Sequence, residues 1–296
     1  MNIAITGASG FVGKNLSARL ASQGHTTRAI SLRARLFPDA CANCDAVVHL
    51  SGEPVAQRWT AAVKQRIRDS RVAGTRAVVA SLAALCREPA DRRPSVLISA
   101  SAIGYYGSRG DEILTETSAP SGDFLGETCA AWERESREAE KLGVRVVNPR
   151  IGVVLGRDGG ALQKMLPAFR MGVGGRIASG KQWMSWIHVD DLVSLILFAI
   201  SNTSLKGPVN AVASQPVTNA EFTEELAKAL HRPAIFPVPE VALKLLFGEM
   251  SAMLVGGQRV VPQAALAAGF EFRYSELGSA LAALFGSHKT SGAPKA

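Results

Sequence analysis

The sequence has no apolar run long enough to cross a bilayer. Its longest, such as Leu192 to Ile200, fall far short of the roughly 20 residues that a spanning helix needs. No cationic, apolar leader precedes the strand-like segment at Asn2 to Thr6, so no secretory signal is expected. The expectation is a cytoplasmic protein without membrane contact. Cysteine is scarce, with four in 296 residues. Cys41 and Cys44 form a Cys-Ala-Asn-Cys pair, but no second pair follows and no two histidines stand at ligand spacing. The sequence therefore predicts no metal site, and Cys41, Cys44, Cys86 and Cys129 read as free reduced thiols. Internal repeats are also missing.

Charge is one-sided. Lys and Arg number 33 against 25 Asp and Glu, a net charge of +8. The cations are scattered and mostly Arg, and no nucleic-acid motif accompanies them, so no nucleic-acid partner is expected. Their densest group, Arg58, Lys64, Arg66, Arg68, Arg71 and Arg76, follows one predicted helix and reads as a solvated face. With 47% hydrophobic and 20% charged residues, the composition is globular. The length suits one main domain and a smaller one.

The organising feature lies at the start. Asn2 to Thr6 reads as a short strand, and Gly7, Gly10 and Gly13 follow at three-residue spacing. Behind them Val12, Leu16 and Leu20 recur every four residues on a helix that Gly24 ends. Strand, glycine turn and helix N-terminus form an anion cradle, because the first helical N–H groups lack intrahelical partners and the dipole favours negative charge. Gly7 suits the tight turn, Gly10 the approach of a pyrophosphate, and Gly13 close helix–strand packing. Thr6, Gly7, Ser9, Gly10, Phe11, Val12 and Gly13 are thus expected to hold a dinucleotide.

Further strands are expected at Thr26 to Ser31, Ala46 to Leu50, Val96 to Ser101, Val144 to Asn148 and Pro208 to Val212. Helices are expected at Trp59 to Cys86 with a break near Gly74, Ala130 to Lys141, and Asp191 to Ile200, where Asp190 and Asp191 would cap. This alternation predicts an α/β fold, a Rossmann-type doubly wound parallel sheet with a small C-terminal substrate-side domain. Thr218-Asn-Ala-Glu221 is a capping box. From Arg232, prolines 233, 237, 239 and 262 punctuate short helices. The expected division is residues 1–215 for the nucleotide domain, with 160–185 reaching the substrate side, then 216–286, then a frayed tail at 287–296.

At the end of the second strand an acidic residue would select NAD, whereas an arginine accommodates a 2′-phosphate. The strand here runs into Ser31-Leu-Arg33-Ala-Arg35, with no acid before Asp39. NADP(H) is therefore expected, with Arg33 as the main 2′-phosphate partner and Ser31 or Arg35 assisting.

The glycine spacing with Thr6 in front, His49-Leu-Ser-Gly52, Ser99-Ala-Ser101-Ala-Ile-Gly-Tyr105-Tyr106-Gly and Trp186-Ile-His-Val-Asp-Asp191 resemble the extended short-chain dehydrogenase/reductases. The resemblance implies that Leu50, Ser51 and Gly52 pass under the cofactor's ribose and pyrophosphate, and that Ser101 matches the catalytic serine. That superfamily uses a Tyr as proton donor and a Lys four residues on. Here the place of the pair holds Phe124 and Thr128, and the helix position of the usual active-site Asn holds Ser70 or Arg71. Asp123-Phe124, Trp132-Glu133, Arg150-Ile-Gly-Val-Val-Leu-Gly156, Gly180-Lys-Gln-Trp-Met-Ser-Trp186 and Gly257-Gln-Arg-Val-Val-Pro262 are similar to the YfcH-like epimerase-family proteins. That atypical branch keeps the dinucleotide site and lacks the Tyr-Lys pair.

Tyr105 and Tyr106 stand just past Ser101 and are the candidate replacement proton donors. Arg150 is a candidate cofactor or anionic-substrate contact, with Lys181 beside it, while Gln182, Trp183 and Trp186 are candidate pocket or core residues. Asp123 reads as a helix cap and His188 as a structural hydrogen bonder. Two functions fit: an NADP(H)-dependent oxidoreductase or epimerase-like enzyme on a small substrate, or a non-catalytic NADP(H)-binding regulatory or redox-sensing protein. Either a monomer or a homodimer is compatible.

Overall fold

A computed structural model describes residues 1–32, 39–87, 89 and 92–286. The strands are β1 (Asn2–Thr6), β2 (Thr26–Ile30), β3 (Ala46–His49), β4 (Val96–Ser99), β5 (Ser101–Ala102), β6 (Ile113–Leu114) and β7 (Arg145–Ile151). They continue as β8 (Val153–Gly156), β9 (Trp183–Met184), β10 (Trp186–His188), β11 (Gly207–Ala211), β12 (Val217–Thr218) and β13 (Arg259–Val260). The helices are α1 (Phe11–Ser22), α2 (Ala61–Ala84), α3 (Phe124–Arg137), α4 (Gly160–Arg170) and α5 (Val189–Ser201). After them come α6 (Asn219–Leu230), α7 (Glu240–Phe247), α8 (Ala252–Val255), α9 (Gln263–Ala267) and α10 (Leu277–Phe285).

The main sheet is parallel, in the order β11-β7-β4-β3-β1-β2, with β5 paired to β7. The chain runs outward from β1 to β2, then crosses back to β3 on the other side of β1. Strand order therefore reverses between β1 and β3, where Thr6 and His49 are register partners. In an open α/β sheet ligands bind at such a reversal, beyond the carboxyl ends of the strands.

Both faces of the sheet are covered, which explains why its strands are nearly continuous apolar runs. On one face Ile3, Ile5, Val48 and Ile98 pack against Leu16 and Leu20 of α1 and Leu192, Leu195, Ile196 and Ala199 of α5. On the other, Ala4, Val47, Leu97 and Val146 pack against Val78 and Leu82 of α2. A third cluster joins Leu162, Leu166 and Phe169 of α4 to Phe222 and Leu226 of α6 and Leu277 and Leu281 of α10. It forms the core of the C-terminal portion. Trp186 is fully buried there, its Nε1 donating to the Gln215 carbonyl at 3.1 Å.

Local deviations from the sequence reading have physical causes. Helix α2 continues through Gly74 without a break, and an added Cβ there would meet Leu32 Cδ1 at 3.4 Å, an ordinary contact. Helix α3 starts at Phe124, because Asp123 caps it by accepting from Gly126 N at 2.8 Å. The expected Asp190 and Asp191 caps are corrected. His188 caps α5, its Nδ1 accepting from Asp190 N at 3.1 Å. Asp191 instead accepts from the backbone N–H groups of Arg273 and Tyr274 at 3.0 and 2.9 Å, tying the C-terminal segment to α5. The capping box at Thr218 and Glu221 is present. Cys41, Cys44 and Cys129 are buried free thiols and Cys86 is an exposed one. Among the described residues no helix is long and apolar enough to cross a membrane.

Candidate functional site

The site is built on the turn between β1 and α1. Gly7 has φ +73°, and a Cβ on it would lie 2.9 Å from Leu50 C and Ser51 N. A Cβ on Gly13 would lie 2.3 Å from the Gly7 carbonyl oxygen. The turn is thus pressed against both the segment after β3 and its own helix, which glycine alone permits. Gly10, the N-cap of α1, supplies no side-chain cap, so the first-turn N–H groups stay available to an outside acceptor. This cradle fits a dinucleotide pyrophosphate. Ser9 and Gly10 are exposed, while Phe11, Val12, Leu50 and Ser51 are half-buried around it.

Thr6 does not present its hydroxyl to this cradle, which corrects one sequence expectation. It is fully buried, with Oγ1 2.6 Å from His49 Nδ1. His49 Nε2 is 3.0 Å from Thr75 Oγ1, which donates to the Arg71 carbonyl at 2.6 Å. Burial, reinforced by the Arg71 charge, pushes the His49 pKa down to about 4. The unfolded chain takes up a proton near pH 6.5 that the folded chain refuses until about 4. Stability from this group is complete above that window and lost as pH falls through it, by about 3 kcal/mol. A His49→Asn variant is expected to lose less stability than wild type in urea unfolding between pH 7 and 4.5; equal losses would contradict this.

Arg71 departs from the solvated face expected of it. It is half-buried, with Nη1 donating to the carbonyls of Glu53 and Ile67 at 3.0 and 3.1 Å. Its guanidinium lies over the Trp132 ring at 5.2 Å and against Gly52, whose added Cβ would meet it at 3.2 Å. Desolvation lowers its pKa. The sequence signal was its occupation of the usual Asn position, but a run of six basic residues masked it. Thr128, standing where the family's Lys belongs, is buried with its hydroxyl on the Phe124 carbonyl at 2.6 Å. The Phe124 ring packs edge-on against Trp59 at 5.2 Å.

The predicted catalytic group resolves into two kinds of residue. Ser101 is buried and donates to Glu133 Oε1 at 2.7 Å. Glu133 receives Arg150 through Nε and Nη2, both at 2.8 Å. Arg150 Nη1 donates to Tyr106 Oη at 2.9 Å and to the Glu116 carbonyl at 3.1 Å. Burial works against the Arg150 charge, but bonding and charge from Glu133 outweigh it and raise the pKa. Tyr106 is fully buried and donates to Asn210 Oδ1 at 2.6 Å; burial pushes its pKa up to about 12 against the pull of Arg150. Arg150 and Tyr106 are therefore corrected from cofactor and proton-donor candidates to members of a closed buried network. Sequence could not show this, because Glu133 reaches them only through the packing of α3 on β5 and β7.

Tyr105 differs. It is half-buried, its ring lies 3.5 Å from the Arg150 guanidinium, and its hydroxyl has no partner among the described residues. Trp183 is half-buried, bonds Asp111 Oδ1 at 2.7 Å and lies beneath Arg259 at 4.4 Å. Gln182 is a structural tie, donating to the Ile177 and Leu254 carbonyls at 3.1 Å each, and Lys181 is exposed. Ser31 is exposed at the end of β2, and Arg33 and Arg35 lie outside the described residues.

Residues 3–212 match the model of the NAD dependent epimerase/dehydratase family, and residues 238–284 match a domain of unknown function, DUF1731. The chain is 42% identical to an Arabidopsis thaliana epimerase family protein, the chloroplastic SDR39U1 homolog, over 96% of this chain and 86% of that one. It is 39% identical to epimerase family protein YfhF of Bacillus subtilis, over 98% of this chain and all of the relative. The crystal structure of human epimerase family protein SDR39U1 with NADPH superposes with a TM-score of 0.87 at 32% identity, covering 96% of this chain and 99% of that one. A glycine cradle at the strand-order reversal, together with these matches, places the chain in the NAD-dependent epimerase/dehydratase family.

Proposed function

We propose that the protein is an NADP(H)-dependent oxidoreductase or epimerase-like enzyme acting on a small substrate, with Tyr105 as its proton donor. The observation that carries the reading is the intact cradle after β1 together with a phenol, in the turn that follows β4 and β5, whose hydroxyl is free among the described residues. The first-turn N–H groups of α1 would hold the pyrophosphate, and Leu50, Ser51 and Gly52 would line the ribose side. Arg71, with Nε and Nη2 unpartnered among the described residues, would supply the cation that Thr128 cannot. The NADPH of the human relative and the Ser31–Arg33 segment support NADP(H) over NAD(H), with Arg33 meeting the 2′-phosphate.

When bound, the nicotinamide supplies hydride transfer. The protein's own task is to move a proton at the reacting oxygen. Tyr105 can donate one there, since Arg150 clamps its ring and Glu133 clamps Arg150. Ser101, already committed to Glu133, holds this wall in place. Screening aldehydes, ketones and nucleotide sugars for NADPH oxidation tests the reading. Once a substrate is found, Tyr105→Phe is expected to lower turnover by about 10²–10⁴ while leaving the NADPH Kd unchanged. Undiminished turnover would remove Tyr105 from the mechanism.

A second reading, a non-catalytic NADP(H) sensor, is favoured by the loss of Tyr and Lys at Phe124 and Thr128. Saturable NADPH binding with no oxidation across the whole screen would select it.

A further inference from the structure

The hydrogen-bond chain through His49 has only one consistent direction. A carbonyl oxygen accepts and cannot donate, so the Thr75 hydroxyl proton is directed at the Arg71 carbonyl, 2.6 Å away. Thr75 Oγ1 must then accept from His49 Nε2–H at 3.0 Å. In the neutral ring this leaves Nδ1 bare, and it accepts from Thr6 Oγ1–H at 2.6 Å. Thr6 Oγ1 accepts in turn from the Ser51 backbone N–H at 3.4 Å. Thr6, His49 and Thr75 are all fully buried, so each link lies out of reach of bulk water.

This chain adds buried side-chain links to three pieces of backbone: the end of β1, the segment after β3, and α2 at Arg71. The segment after β3 is already bonded to β1 by Leu50 N on the Thr6 carbonyl at 3.1 Å, and to α2 by Glu53 N on Ser70 Oγ at 2.9 Å. The Arg71 side chain depends on the same register. Its Nη1 donates to the Glu53 carbonyl at 3.0 Å and its guanidinium is wedged between Gly52 and the Trp132 ring. A slip of α2 against the β3 segment would move that cation relative to the cradle. The ring between them must also be uncharged, because a second cation beside Arg71 would push it away.

We infer that His49 and Thr75 are positioning residues that hold Arg71 at the ribose side of the cofactor site. The inference rests on the cofactor site proposed above. It separates the two ends of the cofactor: the ribose–pyrophosphate side depends on the chain, while the adenosine end near Ser31 does not.

Titrations of NADPH and of 2′-AMP, which carries only the adenosine end, test it on wild type, Thr75→Val and Thr75→Ser. Thr75→Val keeps the shape and loses the hydroxyl, and is expected to weaken NADPH about tenfold while leaving 2′-AMP unchanged. Thr75→Ser restores the hydroxyl and should return NADPH binding to about the wild-type value. Should Thr75→Val not fold, Thr6→Val breaks the other end of the chain and is expected to give the same pattern. Wild-type NADPH affinity in the valine variants, equal losses for both ligands, or failure of the serine to rescue would overturn the positioning role alone. A wild-type protein that binds neither ligand would overturn it together with the cofactor site.

Discussion

Glu133→Ala is expected to lower the unfolding free energy by about 3–5 kcal/mol, the usual cost of stripping one partner from a buried ion pair. Arg150 is 2% exposed and Glu133 5%. Removing the carboxylate takes two bonds at 2.8 Å from the guanidinium and the acceptor from Ser101. The remaining ties of Arg150, to Tyr106 Oη and the Glu116 carbonyl, are neutral and cannot balance a buried charge. Replacing both partners by methionine should recover much of the loss, since apolar side chains of similar volume leave no charge to compensate. Urea unfolding of the three proteins measures this. A single-variant loss below about 1 kcal/mol, the range of exposed pairs, would show that water reaches the cluster.

Gly13→Val is expected to weaken NADPH binding by more than about a hundredfold, because the glycine turn and α1 cannot both keep their places. The first added carbon already falls 2.3 Å from the Gly7 carbonyl oxygen and 2.8 Å from Ala8 Cα, and both neighbours are backbone. Either the turn opens or α1 lifts off β1, and in each case the first-turn N–H groups leave the pyrophosphate. Far-ultraviolet circular dichroism distinguishes a lost site from a lost fold, since β1 and α5 retain their own core contacts. Unimpaired NADPH binding would mean that the dinucleotide sits elsewhere.

The fold was legible because its signals are local. The apolar segments of β1, β3 and β4 read directly as buried strands, and the Thr218–Glu221 capping box formed as written. The cradle was equally legible, because three glycines between a strand and a helix have few other uses. Sequence reading went astray where a side chain's role depends on what packs above it. Arg150, an isolated arginine in a strand, looks like a ligand contact until Glu133 arrives from α3. Tyr105 and Tyr106 are adjacent in sequence, yet the short helical turn that carries them buries one and leaves the other reachable. Arg71 looked like one more basic residue of a solvated helix, although Gly52 and Trp132 enclose it. His49 showed itself only as part of a strand end, since its partners Thr6 and Thr75 are far from it in the sequence.

Calorimetric titration of the folded wild-type protein with NADPH and NADH tests the central claim most directly. Saturable heat with NADPH is expected, with NADH weaker by about tenfold or more, the worth of a charge-assisted bond to the 2′-phosphate. Absence of heat with both nucleotides, from protein whose circular dichroism shows it folded, would contradict the assignment of the β1–α1 turn as a dinucleotide site.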